Sequence, residues 1–434
     1  MAKILSTEDV EPTLLTEFIS CKLIPLDKGE DKQGNIGVRP VGVGEVLRRI
    51  IGKVVVRAIT DEVQEAVGPL QTCTGLKSGI EATVHATKRV WDDPNTEAVL
   101  LVDADNAFNR INRRLGVHNI REICPPFHRY LSNTYQSAAK LIVNDGVTTE
   151  VLYSDEGCTQ GDVAAMAFYA LSVKPLTDEL REAVDTTKCK QAWYADDANA
   201  FGKINEIKLW WDYLSKNGPK YGYFPKPSKT VLIIKNQSLQ TLAETVFAET
   251  GVQITSEGER HLGAVVGTEE FKVKYVSEKV SKWKSDVAEL SNIALDDPQA
   301  ALSAFTKAMC HRWTFVQRTV DNTSELFIPL EETIREKFIP AIVGRKVSDI
   351  ERKMISLPVR HGGLGIINPV LSADRELSVS KMVTAELTDL IINQENTLEK
   401  YNKQRVKETV KHLKMIKEQG LKQEASDVAG ELND

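Results

Sequence analysis

The feature that most constrains the fold is an acidic pair enclosed by apolar residues, in the segment QAWYADDANAFG at residues 191–202. The apolar and aromatic residues on either side of Asp196 and Asp197 predict a strand, a tight acidic turn and a second strand. Two carboxylates in one turn concentrate negative charge, which is costly unless a cation compensates it. An arbitrary pair of aspartates usually forms a solvated turn, but the apolar flanks and a partner strand argue against that alternative here.

The partner strand is AVLLVDAD at residues 98–105, an apolar run that leads into Asp103. If the ends of the two strands meet, Asp103, Asp196 and Asp197 converge on one point. Such a group of carboxylates suits two Mg²⁺ ions roughly 3.5–4 Å apart, which clamp the attacking and leaving oxygens of a phosphoryl displacement. Hard carboxylate oxygens favour Mg²⁺ or Mn²⁺ over zinc. The sequence therefore predicts a site for metal-assisted phosphoryl transfer.

Strands and helices follow each other irregularly along the rest of the chain. We expect strands at 21–26, 38–44, 139–145, 148–154 and 229–235, a polar loop at 27–37, and helices within 1–20 and at 45–59, 78–91, 162–174 (ending at Pro175) and 204–217. From about residue 270 the pattern is mostly helical, with an interruption at 357–369. Because no regular β-α-β alternation is present, the prediction is an α+β fold with an antiparallel sheet and helical flanks, not a doubly wound sheet.

Composition limits the class of protein. A length of 434 residues suggests two or three subdomains, and 42% hydrophobic with 27% charged residues is ordinary for a globular protein. No apolar run approaches the roughly 20 residues that span a bilayer, and the acids and proline near the N-terminus differ from a secretory signal. Six scattered cysteines without a CxxC pair argue against structural zinc. We expect a soluble intracellular protein, in cytoplasm or nucleus, without a membrane partner.

Charge gives a mixed signal about nucleic acid. The net charge of −6 argues against a nucleic-acid binder, yet residues 201–240 hold seven lysines against two acids. These lysines are interleaved with the aromatic residues Trp210, Trp211, Tyr213, Tyr221, Tyr223 and Phe224. Lysines for phosphates and rings for stacking would suit a nucleic-acid groove. A solvated helix face followed by an aromatic core explains the same pattern, and the sequence leaves both alternatives open.

Several motifs stand in the order of those of the reverse transcriptase family. LVDADNAF at 101–108 resembles the first catalytic motif, Gln160-Gly161 the second, and Tyr194-Ala195-Asp196-Asp197 the third. Upstream, LIPLDKG and VRPVGVGEVLRRIIGK resemble the fingers segment; downstream, GYFPKPSKT and the Arg260–Gly263 segment RHLG resemble the part after the catalytic hairpin and the primer-gripping turn. The resemblance covers roughly residues 22–268 and is in particular to the polymerase domains of retrotransposons without long terminal repeats and of related bacterial elements. LPVRHGGLGI at 357–366 is similar to the region after the thumb.

The resemblance implies an RNA-directed DNA polymerase of a retroelement, with an RNA template, a DNA primer and dNTPs as partners and two Mg²⁺ ions, or Mn²⁺, as cofactor. It also implies a right-hand architecture. Its expected parts are fingers at 1–97 and 115–155, palm at 98–114 and 156–270, a helical thumb at 271–350 and a C-terminal helical extension at 351–434.

The same resemblance assigns residues to roles. Asp103, Asp196 and Asp197 would bind metal, with the Ala104 carbonyl as an extra ligand. Phe108 would be a steric gate against a 2′-OH, although a plain core position explains it too. Lys229 would donate a proton to the leaving pyrophosphate. The remaining assignments are Lys28, Arg39, Gln160 and Gly161 for the nucleotide and His261, Leu262 and Gly263 for the primer grip.

Two departures and three alternatives remain. Asp162-Val163-Ala164 follows the second motif where many relatives have Ser-Pro, and Asn109 stands where relatives often have Asp. The chain could instead be an RNA-dependent RNA polymerase, or a catalytically silent relative that binds RNA. A helical tail from about residue 390 could also pair with a protein partner. No segment resembles an endonuclease or RNase H, so we expect a truncated element, a domestic gene or one piece of a larger protein.

Overall fold

The computed structural model of this chain describes residues 1–30, 36–144 and 146–433, apart from the side chains of Lys28, Glu30, Ile36 and Asn433. These residues form two units. The first unit contains Met1–Thr255 and Asp389–Tyr401, and the second contains Ser256–Thr388 and Asn402–Asp434. The first unit is therefore built from two separate stretches of the chain.

Helices and strands of the first unit alternate without a fixed order. Its helices are α1 (Ala2–Thr7), α2 (Pro12–Ile19), α3 (Val46–Ala58), α4 (Thr60–Val67), α5 (Gly79–Asp92), α6 (Ala107–Arg110), α7 (Arg113–Ile123), α8 (Pro125–Tyr135), α9 (Ala165–Glu182), α10 (Ile204–Asn217) and α11 (Gln240–Val246). Its strands are β1 (Cys21–Glu30), β2 (Ile36–Gly44), β3 (Ala98–Val102), β4 (Ala139–Asn144), β5 (Thr149–Ser154), β6 (Cys189–Tyr194), β7 (Asp197–Gly202), β8 (Val231–Ile234) and β9 (Gln253–Thr255).

A five-stranded sheet in the order β6-β7-β3-β8-β9 forms the centre of the first unit. The apolar sequence of β3 places it between β7 and β8, antiparallel to both, with Ala98, Val99 and Leu100 fully buried. Helices α5 and α10 pack against β6 and β7. A strand buried on both faces needs such a continuous apolar run, so this sheet is a rigid platform for the residues at its ends.

The outer edge of β6 is occupied by segments distant in sequence. The side-chain amide of Gln394 donates to the Gln191 carbonyl at 2.8 Å and accepts from the Gln191 N–H at 3.0 Å. Further along β6, Trp193 pairs with the backbone of the 70–72 segment. The edge strand therefore has hydrogen-bond partners at both positions, one of them supplied by the 389–401 stretch.

A second sheet of the first unit has the order β2-β1-β4-β5, with β1 and β2 antiparallel, β1 and β4 parallel, and β4 and β5 a hairpin. The prediction of a loop over 27–37 is wrong at both ends, because β1 continues to Glu30 and β2 begins at Ile36. Pairing uses backbone groups, and a register shift between Asp27 and Glu30 lets polar residues continue the strand. The centre of the predicted loop, residues 31–35, lies outside the described residues.

Helix α9 contradicts the prediction that the helix ends at Pro175, since it runs from Ala165 to Glu182 with Pro175 inside. An internal proline removes one hydrogen bond and costs about 3 kcal/mol. Residues on both sides of Pro175 are fully buried, among them Leu171, Val173, Leu176 and Leu180. Each buried aliphatic side chain contributes about 1.5–3 kcal/mol, so packing outweighs the local cost.

The second unit begins with a hairpin and is otherwise helical. Its elements are β10 (Gly258–His261), β11 (Ala264–Gly267), α12 (Glu269–Asp296), α13 (Pro298–Lys307), α14 (Thr314–Thr319), α15 (Ile328–Thr333), α16 (Ile339–Val343), α17 (Asp349–Ser356), α18 (Pro369–Ile392, whose last residues belong to the first unit) and α19 (Lys403–Asn433). A buried Arg352–Glu331 ion pair with two bonds of 2.7 and 2.8 Å joins α17 to α15. The predicted helical pattern and its interruption at 357–369 are confirmed.

Among the helices of the described ranges, none combines the length and apolar composition that crossing a lipid bilayer requires. The α+β class predicted from the sequence is confirmed. The boundaries expected for fingers, palm, thumb and C-terminal extension stay a prediction.

Candidate active site

The acidic segment forms the predicted hairpin. Strands β6 and β7 pair up to Tyr194 and Asp197, and Ala195 and Asp196 are the two residues of the turn. Ala195 has a φ of +55°, a left-handed conformation in which turns of this length usually have glycine. The turn therefore places Asp196 at its tip and Asp197 at the start of β7.

The register of the sheet brings Asp103 to the same end. Val102, the last residue of β3, pairs with Ala198, so one further step along both strands sets Asp103 level with Asp197. Burial, followed by the negative charges of Asp196 and Asp103, raises the pKa of Asp197 to about 7. The Asp197 side chain is nevertheless exposed, so water screens part of this effect. The three predicted carboxylates are close enough to repel one another.

The family-implied metal can be tested against these donors. Three carboxylates supply the hard oxygens that Mg²⁺ and Mn²⁺ prefer, and their repulsion is the kind that a divalent cation relieves. In the part of the chain that the structure describes, however, no group of three or more His, Cys, Asp or Glu side chains is already arranged to hold a metal ion. The chemistry of the donors fits the metal, while the side chains are not drawn together into a ligand set.

A basic segment runs alongside Asp103. The Lys226 N–H donates to the Asp103 carbonyl at 2.8 Å, and the Asp105 N–H donates to the Phe224 carbonyl at 2.9 Å. This pairing carries the short helical turn Pro227–Lys229 to the carboxylates, where Lys229 Nζ lies 3.9 Å from Asp103 Oδ2. The predicted proton donor is thus next to a predicted metal ligand.

Asp105 faces other cations. Its carboxylate lies 2.6 Å from Arg110 Nη1 and 3.9 Å from Lys226 Nζ. These two contacts suit a structural role for Asp105 in the turn after β3.

Phe108 lies in α6 and stacks on the buried ring of Tyr169, with 4.5 Å between ring centroids and 18° between planes. The Phe108 side chain is half-buried, so part of it remains accessible. Packing against the core and contact with a sugar are therefore compatible roles for this residue.

The second motif is attached to β2. The Gly42 N–H donates to the Gln160 carbonyl at 2.7 Å, and a Cβ on Gly161 would lie only 2.6 Å from the Gly42 carbonyl oxygen. Gly161 also has a φ of +99°, so glycine is required there. A buried ion pair between Arg48 and Asp162 holds the next residue. Asp162, which departs from the family pattern, thus has a structural partner.

Other predicted nucleotide contacts are not brought to the carboxylates by the same elements. Arg39 is exposed on β2, in the four-stranded sheet. The side chain of Lys28 lies outside the described residues. The position of the Ala104 backbone is fixed by its bridge to Pro225, but the structure does not test its carbonyl as a ligand.

The predicted primer grip belongs to the second unit. His261 is the last residue of β10, and Leu262 and Gly263 form the turn to β11 with φ values of +50° and +84°. Burial lowers the pKa of His261 to about 4, so the ring is neutral at physiological pH. Tyr275 donates its hydroxyl to the Gly263 carbonyl at 2.6 Å. These contacts fix the turn, and its role with primer stays a prediction.

The aromatic residues of 201–240 correct one alternative from the sequence. Trp210, Trp211, Tyr221 and Tyr223 are buried, so the stacking role is wrong for these four rings and the aromatic core is right. Helix α10 packs against β6 and β7, and Trp210 contacts Trp193 of β6 with 6.2 Å between ring centroids.

Sequence reasoning missed two residues that hold the acidic turn. The Tyr223 hydroxyl donates to the Asp196 carbonyl at 2.9 Å. Gln71, from the irregular segment between α4 and α5, makes two hydrogen bonds to the backbone of Ala195. Tyr223 lies within the recognised GYFPKPSKT segment, whereas no periodic pattern marks Gln71.

The fold and this site define a polymerase-type palm, a sheet that is antiparallel apart from its β8–β9 pair and has acids at one end. Residues 30–257, more than half of the chain, match the family described as reverse transcriptase (RNA-dependent DNA polymerase). The chain belongs to the reverse transcriptase family, and the predicted right-hand polymerase class is confirmed. Among curated proteins, no sequence matches this chain.

Solved structures with similarity to this chain include telomerases of two yeasts. Apo telomerase from Candida tropicalis aligns with a TM-score of 0.45 and 14% identity over 92% of this chain and 70% of that one. Its form truncated from the C-terminal domain gives 0.37 and 14% over 52% of this chain and 51% of that one. Telomerase from Candida albicans with a fragment of telomeric RNA gives 0.42 and 11% over 87% and 62%. The chain thus spans between about half and 70% of the length of these proteins.

Proposed function

We propose that this protein is an RNA-directed DNA polymerase of a retroelement, which adds dNTPs to a primer 3′-OH on an RNA or DNA template. The observation that carries the proposal is the convergence of Asp103, Asp196 and Asp197 at one end of the antiparallel strands β6, β7 and β3, in a chain of the reverse transcriptase family. Buried strands fix the backbone of these residues, so catalysis can rest on position and charge.

Asp103, Asp196 and Asp197, with the Ala104 carbonyl, would hold two Mg²⁺ ions or Mn²⁺ in their place. When bound, the ions supply positive charge to the attacking and leaving oxygens. Lys229, exposed and 3.9 Å from Asp103, is free to rotate toward a departing pyrophosphate and give it a proton. The segment that pairs with residues 103–105 keeps this lysine beside the acids.

Selection of the nucleotide rests on residues around the sheet end. Stacking on Tyr169 fixes one face of Phe108, which gives the ring the rigidity that a steric gate against a 2′-OH needs. Gln160 and Gly161 would contact the nucleotide, with Arg39 and Lys28 on the triphosphate. His261, Leu262 and Gly263 would hold the primer. The proposed subdomains are fingers at 1–97 and 115–155, palm at 98–114 and 156–270, thumb at 271–350 and a C-terminal extension at 351–434.

The test is extension of a DNA primer on an RNA template with Mg²⁺ and dNTPs. We expect incorporation by the wild-type chain and none by an Asp196→Ala/Asp197→Ala double variant. Asp212→Asn is the matched control, since Asp212 is an acid of α10 that pairs with Lys208 away from the turn. Binding of the primer–template is measured for all three proteins. Incorporation of NTPs in preference to dNTPs would instead establish an RNA-dependent RNA polymerase.

One observation favours a second candidate, a catalytically silent relative that binds RNA. In the described part of the chain, the carboxylates do not form a preassembled metal-ligand group. Primer–template binding by the wild type without any incorporation, under Mg²⁺ or Mn²⁺, would support this candidate over the polymerase.

A further inference from the structure

A buried glutamine contacts the acidic turn from the side opposite Asp103's strand. Gln71 is fully buried, and its side chain reaches the turn across 124 positions of sequence. Its Nε2 donates to the Ala195 carbonyl at 2.9 Å, and its Oε1 accepts from the Ala195 N–H at 2.8 Å. Only one orientation of the amide satisfies both bonds, so the pair of contacts defines it.

These bonds are made to the residue of the turn whose backbone is strained. Ala195 carries the positive φ of +55°, a conformation that is strained for an L-residue with a Cβ. The two hydrogen bonds from Gln71 oppose this strain, because both polar groups of the Ala195 backbone are satisfied only in this conformation of the turn. Tyr223 anchors the following carbonyl, of Asp196, at 2.9 Å. Both residues of the turn are therefore fixed from the core.

An ordinary structural role does not explain why the side chain points to the turn. Backbone hydrogen bonds already tie this segment to β6, because the Trp193 N–H donates to the Leu70 carbonyl at 2.8 Å and the Thr72 N–H donates to the Trp193 carbonyl at 2.9 Å. Ala195 lies beyond these bonds, and the side chain of Gln71 is what reaches it. An amide also suits the place, since a carboxylate would add to the acidic charge and a lysine would neutralise it in place of a metal.

We propose that Gln71 is a positioning residue, which keeps the acidic turn in the conformation that directs Asp196 and Asp197 toward Asp103 and so presets the site for divalent cations. The proposal rests on the proposed function above for its effect on catalysis. Its effect on the turn and on cation binding is independent of catalysis.

The test compares Gln71→Met, which has similar size and loses both bonds, with Thr72→Val. Thr72 is the matched control: it is equally buried and bonds to Thr83 and the Trp193 carbonyl, but not to Ala195. The readouts are hydrogen exchange of the 191–199 peptide, Mn²⁺ affinity by electron paramagnetic resonance, and kcat and KM for dNTP.

For Gln71→Met we expect faster exchange at the turn, a loss of about 10–100-fold in Mn²⁺ affinity, and a lower kcat with little change in KM. Thr72→Val should lose stability without these effects. Adding Ala195→Gly to Gln71→Met should recover part of the Mn²⁺ affinity and kcat, because glycine adopts the turn conformation without strain. If Gln71→Met does not fold, Gln71→Glu replaces it, since it has the same shape and loses the donor to Ala195.

Each outcome decides between the proposals. Wild-type exchange, Mn²⁺ affinity and kcat in Gln71→Met would overturn the positioning role, as would equal losses in Thr72→Val or no recovery by Ala195→Gly. Failure of the wild type to incorporate dNTPs would overturn the proposed function alone, because exchange and Mn²⁺ binding still report on the turn.

Discussion

Compared with the five-stranded sheet, the four-stranded sheet of the first unit is open to solvent. Strand β3 has fully buried residues, whereas every residue of β5 is exposed or half-buried, and apolar side chains such as Leu26, Val38 and Leu152 are exposed. The five-stranded sheet carries the carboxylates, and the four-stranded sheet carries Arg39. The difference indicates that the carboxylates are held on a packed sheet, whereas Arg39 lies on a sheet that is accessible from solvent.

Substitutions on the two sheets should affect different kinetic constants, with the larger effect at the carboxylates. We predict that Asp103→Asn lowers kcat by about a thousandfold or more, because it removes a charge at the centre of the site. Arg39→Ala should mainly raise KM for dNTP, since an exposed cation on the other sheet would bind the triphosphate in ground and transition state alike. Steady-state primer extension measures both. A large loss of kcat with unchanged KM in Arg39→Ala would show that the four-stranded sheet also contributes to the chemical step.

The next effect is on stability. Leu100→Ala, in the centre of β3, should lower the free energy of unfolding by about 2–5 kcal/mol, because it leaves a cavity in a packed sheet. Leu152→Ala, exposed on β5, should change it by no more than about 0.5 kcal/mol. Urea unfolding followed by circular dichroism measures both variants. Similar losses in the two would show that the four-stranded sheet is more buried in solution than in this structure.

A smaller effect concerns nucleotide selection. Phe108→Ala should reduce the preference for dNTPs over NTPs by about 10–100-fold, because the ring no longer clashes with a 2′-OH. Tyr169→Phe is the control: it keeps the stacked ring and removes a buried hydroxyl that has no hydrogen-bond partner among the described residues. The measurement is kcat/KM for each dNTP and for the NTP with the same base. Loss of selection in the control would assign the effect to packing.

The smallest effect is a pH dependence of stability without metal. The folded-state pKa of Asp197 is raised to about 7, so the folded protein favours the protonated carboxyl. The contribution of Asp197 to the free energy of unfolding is therefore fully present below the unfolded pKa of about 3.9 and is lost as pH rises through 7. We expect the metal-free Tm to fall over this range, Mg²⁺ to restore it near pH 8, and Asp197→Asn to weaken both responses. Thermal scans between pH 4 and 8 measure this. An unchanged response in Asp197→Asn would assign the dependence to other groups.

The sequence predicted those parts of the site that are local. The hairpin at 191–202 and the strand before Asp103 were predicted because each combines an apolar run with an abrupt acidic end. The pairing of β3 with β7 then places Asp103 and Asp197 at the same end of the sheet. The pairing of β4 with β5 was equally local, since a glycine turn separates two short strands.

The parts that could not be predicted depend on distant packing. The bond from Gln71 to Ala195 joins residues 124 positions apart, and an irregular segment with no periodicity gives no sign of it. Helix α9 continues past Pro175 because buried neighbours on both sides outweigh a local cost that sequence patterns overstate. The burial of Trp210 and Trp211 depends on the strands and helices packed around α10, so their rings could not be assigned to core or ligand from sequence.

The contact of the Gln394 amide with the outer edge of β6 determines where a recombinant fragment of the first unit can end. A recombinant fragment that stops at Thr255 contains the whole five-stranded sheet but lacks the 389–401 stretch that belongs to the same unit. Gln191 would then present an unpaired edge to other molecules, and such an edge invites aggregation. A fragment of the first unit alone should therefore be supplied with a synthetic 389–401 peptide, and fragment complementation by that peptide is the natural assay of where the unit ends.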